Sequence, residues 1–326
     1  MICLCCGKPI NDSAAPQEKN AGWHSACVKR FFGTTRLPEI DIDDALLEQL
    51  AIESTNQGLT VPGVQKKLSL HLTTGQNPRL TLVNYPTGYI LKPQTEEYPA
   101  LPEAEHLVMR MARATGIRTV PFAMLFTPIR GGSYAYITRR IDRVLPTGSN
   151  KSLRLLAMED FCQLDGRLTQ DKYRGSYERC AKIISHWSQR PGLDLSELFL
   201  RLAFSYAVGN SDMHLKNFSL IETAPESGQY VLSDAYDLLP VNVILPEDKE
   251  QFALSMNGKK RNLRRKDFLV FAESSGIPAK TAERLIQSVV GRLNDYIELC
   301  RDSFLPDDMK VRLEAFMTER TDKLVR

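Results

Sequence analysis

The sequence lacks the features that mark several special classes of protein. Its 326 residues contain no apolar run that approaches the roughly 18 to 20 residues of a membrane span, no internal repeat and no low-complexity segment. The first residues, Met1-Ile2-Cys3, have neither the basic nor the apolar region of a secretory signal. A formal net charge of +3 is too small to indicate nucleic-acid binding by itself. We therefore expect a cytoplasmic globular protein of about two lobes.

Four of the seven cysteines lie within the first 27 residues, a distribution that indicates local metal chemistry rather than a disulfide framework. Cys3 and Cys6 form a C-x₂-C pair, and His24 and Cys27 form an H-x₂-C pair, spacings that a tetrahedral Zn²⁺ can use. Cys5 could replace either neighbour, and reduced thiols without metal are the alternative. We predict a structural zinc knuckle, because four protein ligands leave no open position for chemistry.

The chain changes character after this segment. From Leu59 to Tyr136 it consists of short β-rich segments separated by turns, with one helix predicted from Pro102 to Gly116. The predicted strands, which we expect to form an antiparallel sheet, are Lys67–Leu72, Leu80–Val83, Tyr89–Lys92, Val120–Phe126 and Tyr134–Thr138. After about Arg143 the pattern is mainly helical, with a small hairpin at Ile221 and Tyr230–Leu232. The helices predicted there are Glu159–Cys162, Tyr177–Trp187, Ser196–Val208 with Ser196 as N-cap, and Thr281–Cys300.

These patterns predict an α+β protein of three parts. The parts are a Cys/His-rich segment at residues 1–40, a β-rich ATP-binding lobe at 41–142 and a helical catalytic lobe at 143–326. A β-rich lobe that contains one helix and precedes a helical lobe is the arrangement of a two-lobed, protein-kinase-like fold.

The strongest chemical signal is the segment Gly209–Phe218, G-N-S-D-M-H-L-K-N-F, which we call the Asp212 loop. Transfer of a phosphoryl group needs a carboxylate that orients the attacking hydroxyl and hard oxygen ligands that hold Mg²⁺. Asp212 and Asn217 can fill these two roles. A bare D-x₄-N arises by chance about once in a chain of this size, so the prediction depends on the surrounding motifs.

Other parts of a phosphoryl-transfer site follow in kinase order. Lys92 closes an apolar strand and is predicted to bind the α and β phosphates, with Glu105 as its ion-pair partner. Taken alone, such a lysine would more often be a solvated strand end. Asp237 is the predicted second Mg²⁺ carboxylate, and Asp234 is the alternative, with a turn or cap carboxylate as its ordinary role. A glycine- and lysine-containing loop suited to covering phosphates comes first, at Gly63, Val64, Gln65 and Lys67.

Together these motifs resemble the HipA family of serine/threonine kinase toxins, from about Leu59 to about Asn262. The motifs are G-V-Q-x-K, Y-I-L-K, L-P-E-A-E, R-R-I-D-R, M-E-D-F-C-Q, S-D-M-H-L-K-N-F and A-Y-D-L-L-P. About 58 residues precede the phosphate loop. The chain therefore resembles the short HipT-like branch, in which an N-terminal subdomain is a separate small protein.

The resemblance implies roles for individual residues. Asp212 would be the catalytic base, Asn217 and Asp237 the Mg²⁺ ligands, and Lys92 the phosphate lysine. His214 equally fits a buried residue that holds the loop. The remaining ATP-site residues implied are His214 and Lys216 beside the nucleotide, and Arg139, Arg140 and Ile141 at the hinge near adenine.

Regulation is where the sequence departs from the family pattern. Family members commonly carry a serine just before G-V-Q, and its autophosphorylation expels the phosphate loop, for reasons of charge and shape. Here the segment is Thr60-Val61-Pro62. Thr60 can accept a phosphate, whereas Pro62 cannot and stiffens the loop. The sequence therefore predicts either no self-inactivation or self-inactivation confined to Thr60.

The resemblance also implies a function and partners. It implies an ATP- and Mg²⁺-dependent toxin kinase that phosphorylates an aminoacyl-tRNA synthetase, with the tryptophanyl and glutamyl enzymes as candidates. Its partners would be a helix-turn-helix antitoxin, through which it reaches DNA, and the small separate protein. The alternatives are a small-molecule phosphotransferase, a secreted effector kinase and a non-enzymatic scaffold. The basic run Lys259–Lys266 is either a solvated helix start or a patch that contacts phosphates of operator DNA or tRNA.

Overall fold

The structure is a computed structural model that describes residues 1–40, 67–73, 75–82, 87–128, 131–144 and 154–326. The chain divides into two compact units. Within the described residues, the first unit comprises the chain up to His106 and Val120–Ile141, and the second comprises Leu107–Thr119, 142–144 and Arg154–Arg326. The predicted phosphate-loop residues Gly63, Val64 and Gln65, together with Thr60, lie outside the described residues.

A six-stranded sheet forms the body of the first unit. The elements in chain order are α1 (Pro16–Ala21), α2 (Ser25–Phe32), β1 (Glu39–Ile40), β2 (Leu68–Thr73), β3 (Arg79–Thr81), β4 (Tyr89–Pro93), α3 (Leu101–Thr115), β5 (Phe122–Thr127) and β6 (Ser133–Arg139). The strand order is β1-β3-β2-β4-β6-β5, and all pairings are antiparallel except that of β1 with β3. The predicted antiparallel sheet is present, and β1 adds a two-residue parallel edge that the sequence did not reveal.

Strand β4 lies between β2 and β6, so its backbone is paired on both sides. Four of its five residues are buried, and the buried set includes Lys92. An interior strand that carries a lysine must provide that ammonium group with a partner, because burying an unpaired charge is very costly.

Helix α3 begins in the first unit, and from Leu107 onward its residues belong to the second. It was predicted from Pro102 to Gly116 and differs from that range by one residue at each end. Gly116 takes a φ of 94°, a left-handed conformation that glycine adopts without steric cost, and the helix ends there.

The second unit is mainly helical. Its further elements are β7 (Arg143–Val144), β8 (Arg154–Leu155), β9 (Met158–Asp160), α4 (Phe161–Leu164), α5 (Tyr177–Trp187), α6 (Pro191–Val208), β10 (Ser219–Glu222), β11 (Tyr230–Leu232), α7 (Val241–Ile244), α8 (Arg265–Ser274), α9 (Ala279–Val290), α10 (Leu293–Arg301) and α11 (Asp307–Val325). Strand β10 pairs antiparallel with β9 and with β11, and the second pairing is the predicted hairpin. None of the helices in the described part of the chain has the length and hydropathy that a membrane crossing requires.

Helix α6 forms the centre of this unit. Every residue from Leu198 to Val208 is buried, and the helix packs against α5, α9 and α11. Because the last turns of α6 are buried on several sides, packing fixes the end of the helix, and so fixes the place at which the chain continues from Gly209.

Two predicted helix starts were wrong. Helix α6 begins at Pro191 rather than at Ser196, whose hydroxyl donates to the carbonyl of Gly192 at 2.8 Å from inside the helix. The segment predicted as the helix Glu159–Cys162 begins instead as strand β9, because it pairs with β10. Asp160 ends that strand, and its Oδ1 accepts the amide hydrogen of Gln163 at 3.0 Å as the N-cap of α4.

The long helix predicted for Thr281–Cys300 was also wrong. The structure divides it into α9 and α10, with Gly291 and Arg292 between them. The apolar stripe continues through both helices, so periodicity alone did not reveal the break. Glycine costs about 1 kcal/mol relative to alanine inside a helix, which makes Gly291 a favourable place to interrupt one.

Candidate functional site

Gly209 fixes the point at which the Asp212 loop leaves α6. Its φ of 75° is left-handed, and its amide donates to the carbonyl of Ser205. A Cβ atom added at Gly209 would lie 2.8 Å from a ring carbon of Phe316 on α11. Cβ atoms in proteins essentially never approach another heavy atom so closely. Both the backbone conformation and the close approach therefore require glycine at this position.

The carboxylate of Asp212 is oriented by a neighbouring tyrosine. The hydroxyl of Tyr173 donates to Asp212 Oδ1 at 2.9 Å, and the Asp212 side chain remains 45% exposed. Burial, together with the adjacent Asp212 charge, raises the pKa of Tyr173, so its hydroxyl remains a proton donor even in alkaline solution. The arrangement leaves a carboxylate that is held in place and still accessible to a substrate.

Asn217 is tied to the backbone of the same aspartate. Its side-chain Nδ2 donates to the carbonyl oxygen of Asp212 at 2.8 Å, and the amide of His214 donates to that oxygen at the same distance. Because Nδ2 is engaged within the loop, Oδ1 is the atom of Asn217 that can serve a metal ion. Asp212 and Asn217, which were predicted to act together, are thus joined by a hydrogen bond to the Asp212 carbonyl.

His214 has the surroundings of a residue that supports the loop. Its side chain is 8% exposed, and its ring meets that of Tyr173 edge to face with 5.1 Å between centroids. Its Nε2 lies 4.0 Å from Asp212 Oδ2. The next residue, Leu215, donates its amide hydrogen to the carbonyl of Lys172 at 3.2 Å. The His214 segment therefore connects the Asp212 loop to the chain around Tyr173.

Lys216 pairs with an acidic residue that the sequence did not indicate as part of the site. Its Nζ lies 2.7 Å from Asp160 Oδ2, while Asp160 Oδ1 caps α4. One carboxylate thus holds both the lysine and the first turn of a helix. Asp160 lies in the M-E-D-F-C-Q motif, but nothing in the spacing connects it with Lys216, which is 56 positions away.

Asp237 follows a tyrosine that is bound to the Asp212 loop. The hydroxyl of Tyr236 donates to the carbonyl of Lys216 at 3.1 Å and therefore accepts from the hydroxyl of Ser219 at 2.6 Å. Burial raises the pKa of Tyr236, which keeps that donor protonated. The φ of Asp237 is 62°, a left-handed conformation that aspartate tolerates better than most residues.

Asp234, the alternative to Asp237, has a different environment. Its Oδ1 lies 3.7 Å from a guanidinium nitrogen of Arg118, and both side chains are more than a third exposed. The backbone beside it also pairs with this segment, since the amide of Ala235 donates to the carbonyl of Arg118 at 2.7 Å. These contacts are those of a residue that docks a loop, which favours Asp237 as the metal carboxylate.

In the first unit, Lys92 and Glu105 form a buried ion pair. Lys92 Nζ lies 2.6 Å from Glu105 Oε1, and the two side chains are 5% and 0% exposed. The ammonium group also lies 5.3 Å from the ring centroid of Tyr136, within the range of a cation–π contact. Lys92 is therefore not a solvated strand end, and the expected pairing with α3 is present.

The other predicted ATP-site residues of this unit are partly exposed or exposed. The amide of Arg139 donates to the carbonyl of Pro121, and that of Arg140 donates to the carbonyl of Gly88. Ile141 follows them and is the last residue of this part of the first unit. Lys67 is exposed and immediately precedes β2.

The donor atoms present suit the groups that a kinase reaction needs. The amide oxygen of Asn217 and the carboxylate of Asp237 are hard oxygen ligands of the kind that Mg²⁺ prefers. Lys92 supplies a fixed ammonium group of the kind that binds phosphate oxygens. Lys92 is positioned by Glu105 in the first unit, and Asn217 by the carbonyl of Asp212 in the second.

The four predicted zinc ligands are close to one another in the first unit. The ligand atoms of Cys3, Cys6, His24 and Cys27, which we call the Cys/His cluster, all lie within 4.8 Å of one another. That group does not include Cys5. The arrangement is one that could hold a zinc ion.

The basic run at residues 259–266 is largely balanced by acidic side chains. Its ion pairs are Lys259–Asp267, Lys260–Glu250, Arg261–Glu250 and Arg265–Glu283. Helix α8 begins within the run, at Arg265. This pairing favours the interpretation of the run as a helix start over that of a dedicated phosphate-binding patch.

Comparison with known proteins places this geometry in context. A family model described as the HipA-like C-terminal domain matches residues 59–297. A Haemophilus influenzae protein named "Putative kinase" is 29% identical over 279 residues, which is 77% of this chain and 77% of that protein. "Putative kinase Y4mE" of Sinorhizobium fredii is 29% identical over 241 residues, 71% of this chain and 54% of its own length. The chain thus spans about half the length of this last relative.

Two solved structures share the fold. The HipA toxin–antitoxin complex of Shewanella oneidensis MR-1, which contains HipA, HipB and operator DNA, matches with a TM-score of 0.66 and 18% identity over 85% of this chain and 70% of that chain. The Helicobacter pylori proinflammatory kinase CtkA matches with a TM-score of 0.53 and 15% identity over 74% of this chain and 87% of that chain. The predicted α+β kinase-like fold, in which a β-rich part precedes a helical part, is confirmed.

Proposed function

Because the chain belongs to the family of the HipA-like C-terminal domain, we propose that it is an ATP- and Mg²⁺-dependent serine/threonine protein kinase with Asp212 as its catalytic base. The observation that carries this proposal is the Asp212 loop. There, an accessible carboxylate accepts a hydrogen bond from Tyr173, and Asn217 is bound to the carbonyl of the same aspartate. A base and a metal ligand held together in this way are what phosphoryl transfer requires.

The reaction follows from the position of this carboxylate. Asp212 orients the hydroxyl of a serine or threonine and accepts its proton as the hydroxyl oxygen bonds to the γ-phosphorus of ATP. The bond between that phosphorus and the β–γ bridging oxygen breaks, and ADP leaves. Tyr173 donates a hydrogen bond to Asp212 Oδ1 and so orients the carboxylate that would meet the substrate hydroxyl.

The other residues position the nucleotide and the metal. Asn217 Oδ1 and the Asp237 carboxylate would hold Mg²⁺, which when bound offsets the negative charge of the phosphates. Lys92, oriented by Glu105, would bind the α and β phosphates, and Lys216 and His214 would line the nucleotide site. The remaining proposed ATP contacts are Gly63, Val64, Gln65 and Lys67 at the phosphates and Arg139, Arg140 and Ile141 near the adenine.

The test is a matched pair of carboxylate-to-amide variants. Asp212→Asn should reduce phosphate transfer from ATP by about 100- to 10,000-fold, because it removes the base and retains the shape of the side chain. Asp295→Asn is the control, since Asp295 is also 45% exposed and forms a surface pair with Arg292. Phosphate transfer would be measured with radiolabelled ATP, and folding by thermal unfolding. Full activity in a folded Asp212→Asn variant would contradict the proposal.

The biological role that we propose is that of a toxin kinase of the short HipT-like branch. Its substrate would be an aminoacyl-tRNA synthetase, with the tryptophanyl and glutamyl enzymes as first candidates. Its partners would be a helix-turn-helix antitoxin that binds DNA and a small separate protein that supplies the N-terminal subdomain. The support is family membership and a shared fold with HipA of Shewanella oneidensis, which was solved with HipB and operator DNA.

Phosphoproteomics of cells that express the wild type or Asp212→Asn would identify the substrate. We expect growth arrest and a phosphorylated synthetase with the wild type alone. Phosphate on a metabolite and on no protein would instead identify a small-molecule phosphotransferase.

We also propose Thr60 as the autophosphorylation site. Thr60→Ala should then remove the phosphopeptide that contains this residue and prolong activity, because the unmodified loop stays over the phosphates. Intact-mass measurement after incubation with ATP would check this. An unchanged phosphate content in the variant would exclude Thr60.

A further inference from the structure

The first 33 residues contain a group of metal-ligand side chains that the kinase reaction does not use. We propose that Cys3, Cys6, His24 and Cys27 bind one Zn²⁺ and that this ion fastens the N-terminal segment to the exposed edge of the six-stranded sheet at β5. The proposal concerns the first unit alone and does not depend on catalysis.

The distances between the donor atoms suit a tetrahedral ion. Zinc binds thiolate sulfur at about 2.3 Å and imidazole nitrogen at about 2.0 to 2.1 Å, which places neighbouring ligand atoms roughly 3.5 to 3.8 Å apart. In the structure, His24 Nδ1 lies 3.4 Å from the sulfur of Cys6 and 4.0 Å from that of Cys27. All four ligand atoms lie within 4.8 Å of one another, so small adjustments are enough to bring them around one ion.

The histidine is already oriented for a metal at Nδ1. Its Nε2 lies 3.2 Å from the carbonyl oxygen of Pro9. A carbonyl oxygen can only accept, so Nε2 must carry the hydrogen, and the lone pair of the neutral ring is then on Nδ1. Nδ1 is also the atom that lies near the thiols. A second ring nitrogen bound to a backbone carbonyl is the usual support of a metal-binding histidine.

The sulfur atoms are also supported by donors. The amide of His24 donates to the sulfur of Cys3 at 3.4 Å, and a guanidinium nitrogen of Arg30 donates to that of Cys27 at 3.5 Å. Three thiolates and one Zn²⁺ carry a net charge of −1, which the adjacent Arg30 offsets. Sulfur and imidazole ligands select zinc over Mg²⁺ or Ca²⁺, which prefer oxygen.

Two residues next to the ligands cover the edge of the sheet. Leu4, which follows Cys3, accepts the amide hydrogen of Met124 in β5 at 2.9 Å. Trp23, which precedes His24, donates from its indole nitrogen to the carbonyl of Met124 at 3.2 Å. Met124 therefore has both backbone groups satisfied by the N-terminal segment on the side facing away from β6. An edge strand with unpaired groups invites association with other chains, and this segment covers those groups of β5 at Met124.

The same segment reaches the strand that carries Lys92. Trp23 packs against Phe31 and Phe32, with ring centroids 5.8 and 5.6 Å away. Phe32 lies 5.3 Å from the ring of Tyr89 in β4, and the Tyr89 hydroxyl donates to the carbonyl of Phe31 at 3.3 Å. The ion would therefore hold in place the aromatic residues that pack against Tyr89 of β4.

Metal content is the direct test, and Cys5 provides the control. Protein purified without chelator should contain one zinc per chain by mass spectrometry, and Cys27→Ser should lose it. Cys5→Ser should retain it, because Cys5 is a buried cysteine of the same segment that does not belong to the Cys/His cluster. A wild type without stoichiometric zinc, or equal loss from both variants, would overturn the proposal.

A second pair of variants separates ligand loss from misfolding. His24→Cys should retain zinc, because a Cys₄ site also suits it, whereas His24→Ala should lose it. Replacing zinc with Co²⁺ in the wild type should give the absorption bands of tetrahedral cobalt–thiolate coordination. Chelation of the wild type should lower the temperature of thermal unfolding, and added Zn²⁺ should restore it. Absent cobalt–thiolate bands, or an unfolding temperature that chelator does not change, would contradict the structural role.

Discussion

Two lysine–carboxylate pairs, one in each compact unit, have nearly the same length and very different exposure. Lys92 and Glu105 lie 2.6 Å apart with side chains 5% and 0% exposed, whereas Lys216 and Asp160 lie 2.7 Å apart with side chains 32% and 14% exposed. From distance alone, the two pairs would be expected to contribute equally to stability. Their burial makes them different, because the free-energy cost of removing the charges from water is large for Lys92 and Glu105 and much smaller for Lys216 and Asp160.

The comparison also concerns function. A buried pair gives little net stability, since desolvation offsets most of the attraction between the charges, but separating its charges is costly. That cost favours the position of Lys92 beside Glu105, which is the position of its proposed phosphate role. Lys216 keeps access to water, and its partner Asp160 is shared with the cap of α4. The following predictions sharpen this difference, beginning with the largest effect.

Glu105→Gln should have the largest effect on stability. The substitution leaves the ammonium group of Lys92 buried beside a neutral amide, and breaking a buried pair in this way costs about 3 to 5 kcal/mol. Chemical denaturation followed by circular dichroism would measure the loss of unfolding free energy. A loss below that of the Lys216 variant described next would reverse the comparison.

A double variant is the control for this result. Lys92→Met combined with Glu105→Leu removes both charges and fills the same space with apolar groups, which is often neutral or stabilising for a buried pair. We expect the unfolding free energy to recover and kinase activity to be absent, because the phosphate lysine is gone. Recovery of stability without activity would separate the functional role of Lys92 from its part in folding.

Lys216→Met should reduce the unfolding free energy by only about 1 kcal/mol or less, because water already solvates part of the pair with Asp160. The loss should shrink further as salt is added, since salt screens partly exposed charges. Denaturation at low and high salt would measure both effects. The control is Asp160→Asn, which keeps an oxygen for the amide of Gln163 and should therefore spare α4. A loss as large as that of Glu105→Gln would contradict the importance of burial.

Glu103 provides the smallest test, through the pH dependence of stability. It lies two residues before Glu105 in α3, and its Oε2 has no hydrogen-bond partner within the described residues. Burial raises the pKa of Glu103 above its ordinary value of 4.5. The folded protein therefore holds this proton more tightly than the unfolded chain does. The stability associated with the neutral form is present below the ordinary pKa and is lost as pH rises through the raised pKa.

Glu103→Gln should remove the loss of unfolding free energy that accompanies ionisation of Glu103. The folded protein should then be slightly more stable at neutral pH. Denaturation series between about pH 4 and pH 7 would reveal it as a flatter profile. The control is Glu97→Gln, at an exposed glutamate, which should leave the profile unchanged. A steeper profile in the Glu103 variant would show that this carboxyl group is stabilised when it is ionised.

The sequence was sufficient to predict a β-rich part followed by a helical part and the position of the Asp212 loop, because both are encoded locally, but it did not give every element: β9 was predicted as a helix, and α9 and α10 as one helix. Short β-rich segments bounded by turns marked the strands, and helical periodicity marked α3 and α5. Helix boundaries were less predictable. Ser196 has the chemistry of an N-cap, yet Pro191 begins α6 five residues earlier, and packing around that helix decides the outcome.

The supporting residues of the site could not be predicted for a related reason. Tyr173 and Asp160 contact Asp212 and Lys216 from positions 39 and 56 residues away, and only the folded chain brings them together. The buried ion pair was predictable because Lys92 and Glu105 are separated by 13 residues within a recognisable strand and helix. The proximity of the four Cys/His side chains was predictable from spacing, but the contacts of the neighbouring Leu4 and Trp23 with Met124 were not.

The contact between Gly209 and Phe316 has a practical consequence for engineering the C-terminal region. One wall of the turn that begins the Asp212 loop is an aromatic ring more than a hundred residues later, on α11. Shortening the chain before Phe316, or redesigning that helix for solubility, would remove the surface against which the turn is seated. We expect such proteins to lose activity without any change to an active-site residue. Substitutions in α11 should therefore change the measured kinase activity, although this helix carries none of the proposed catalytic groups.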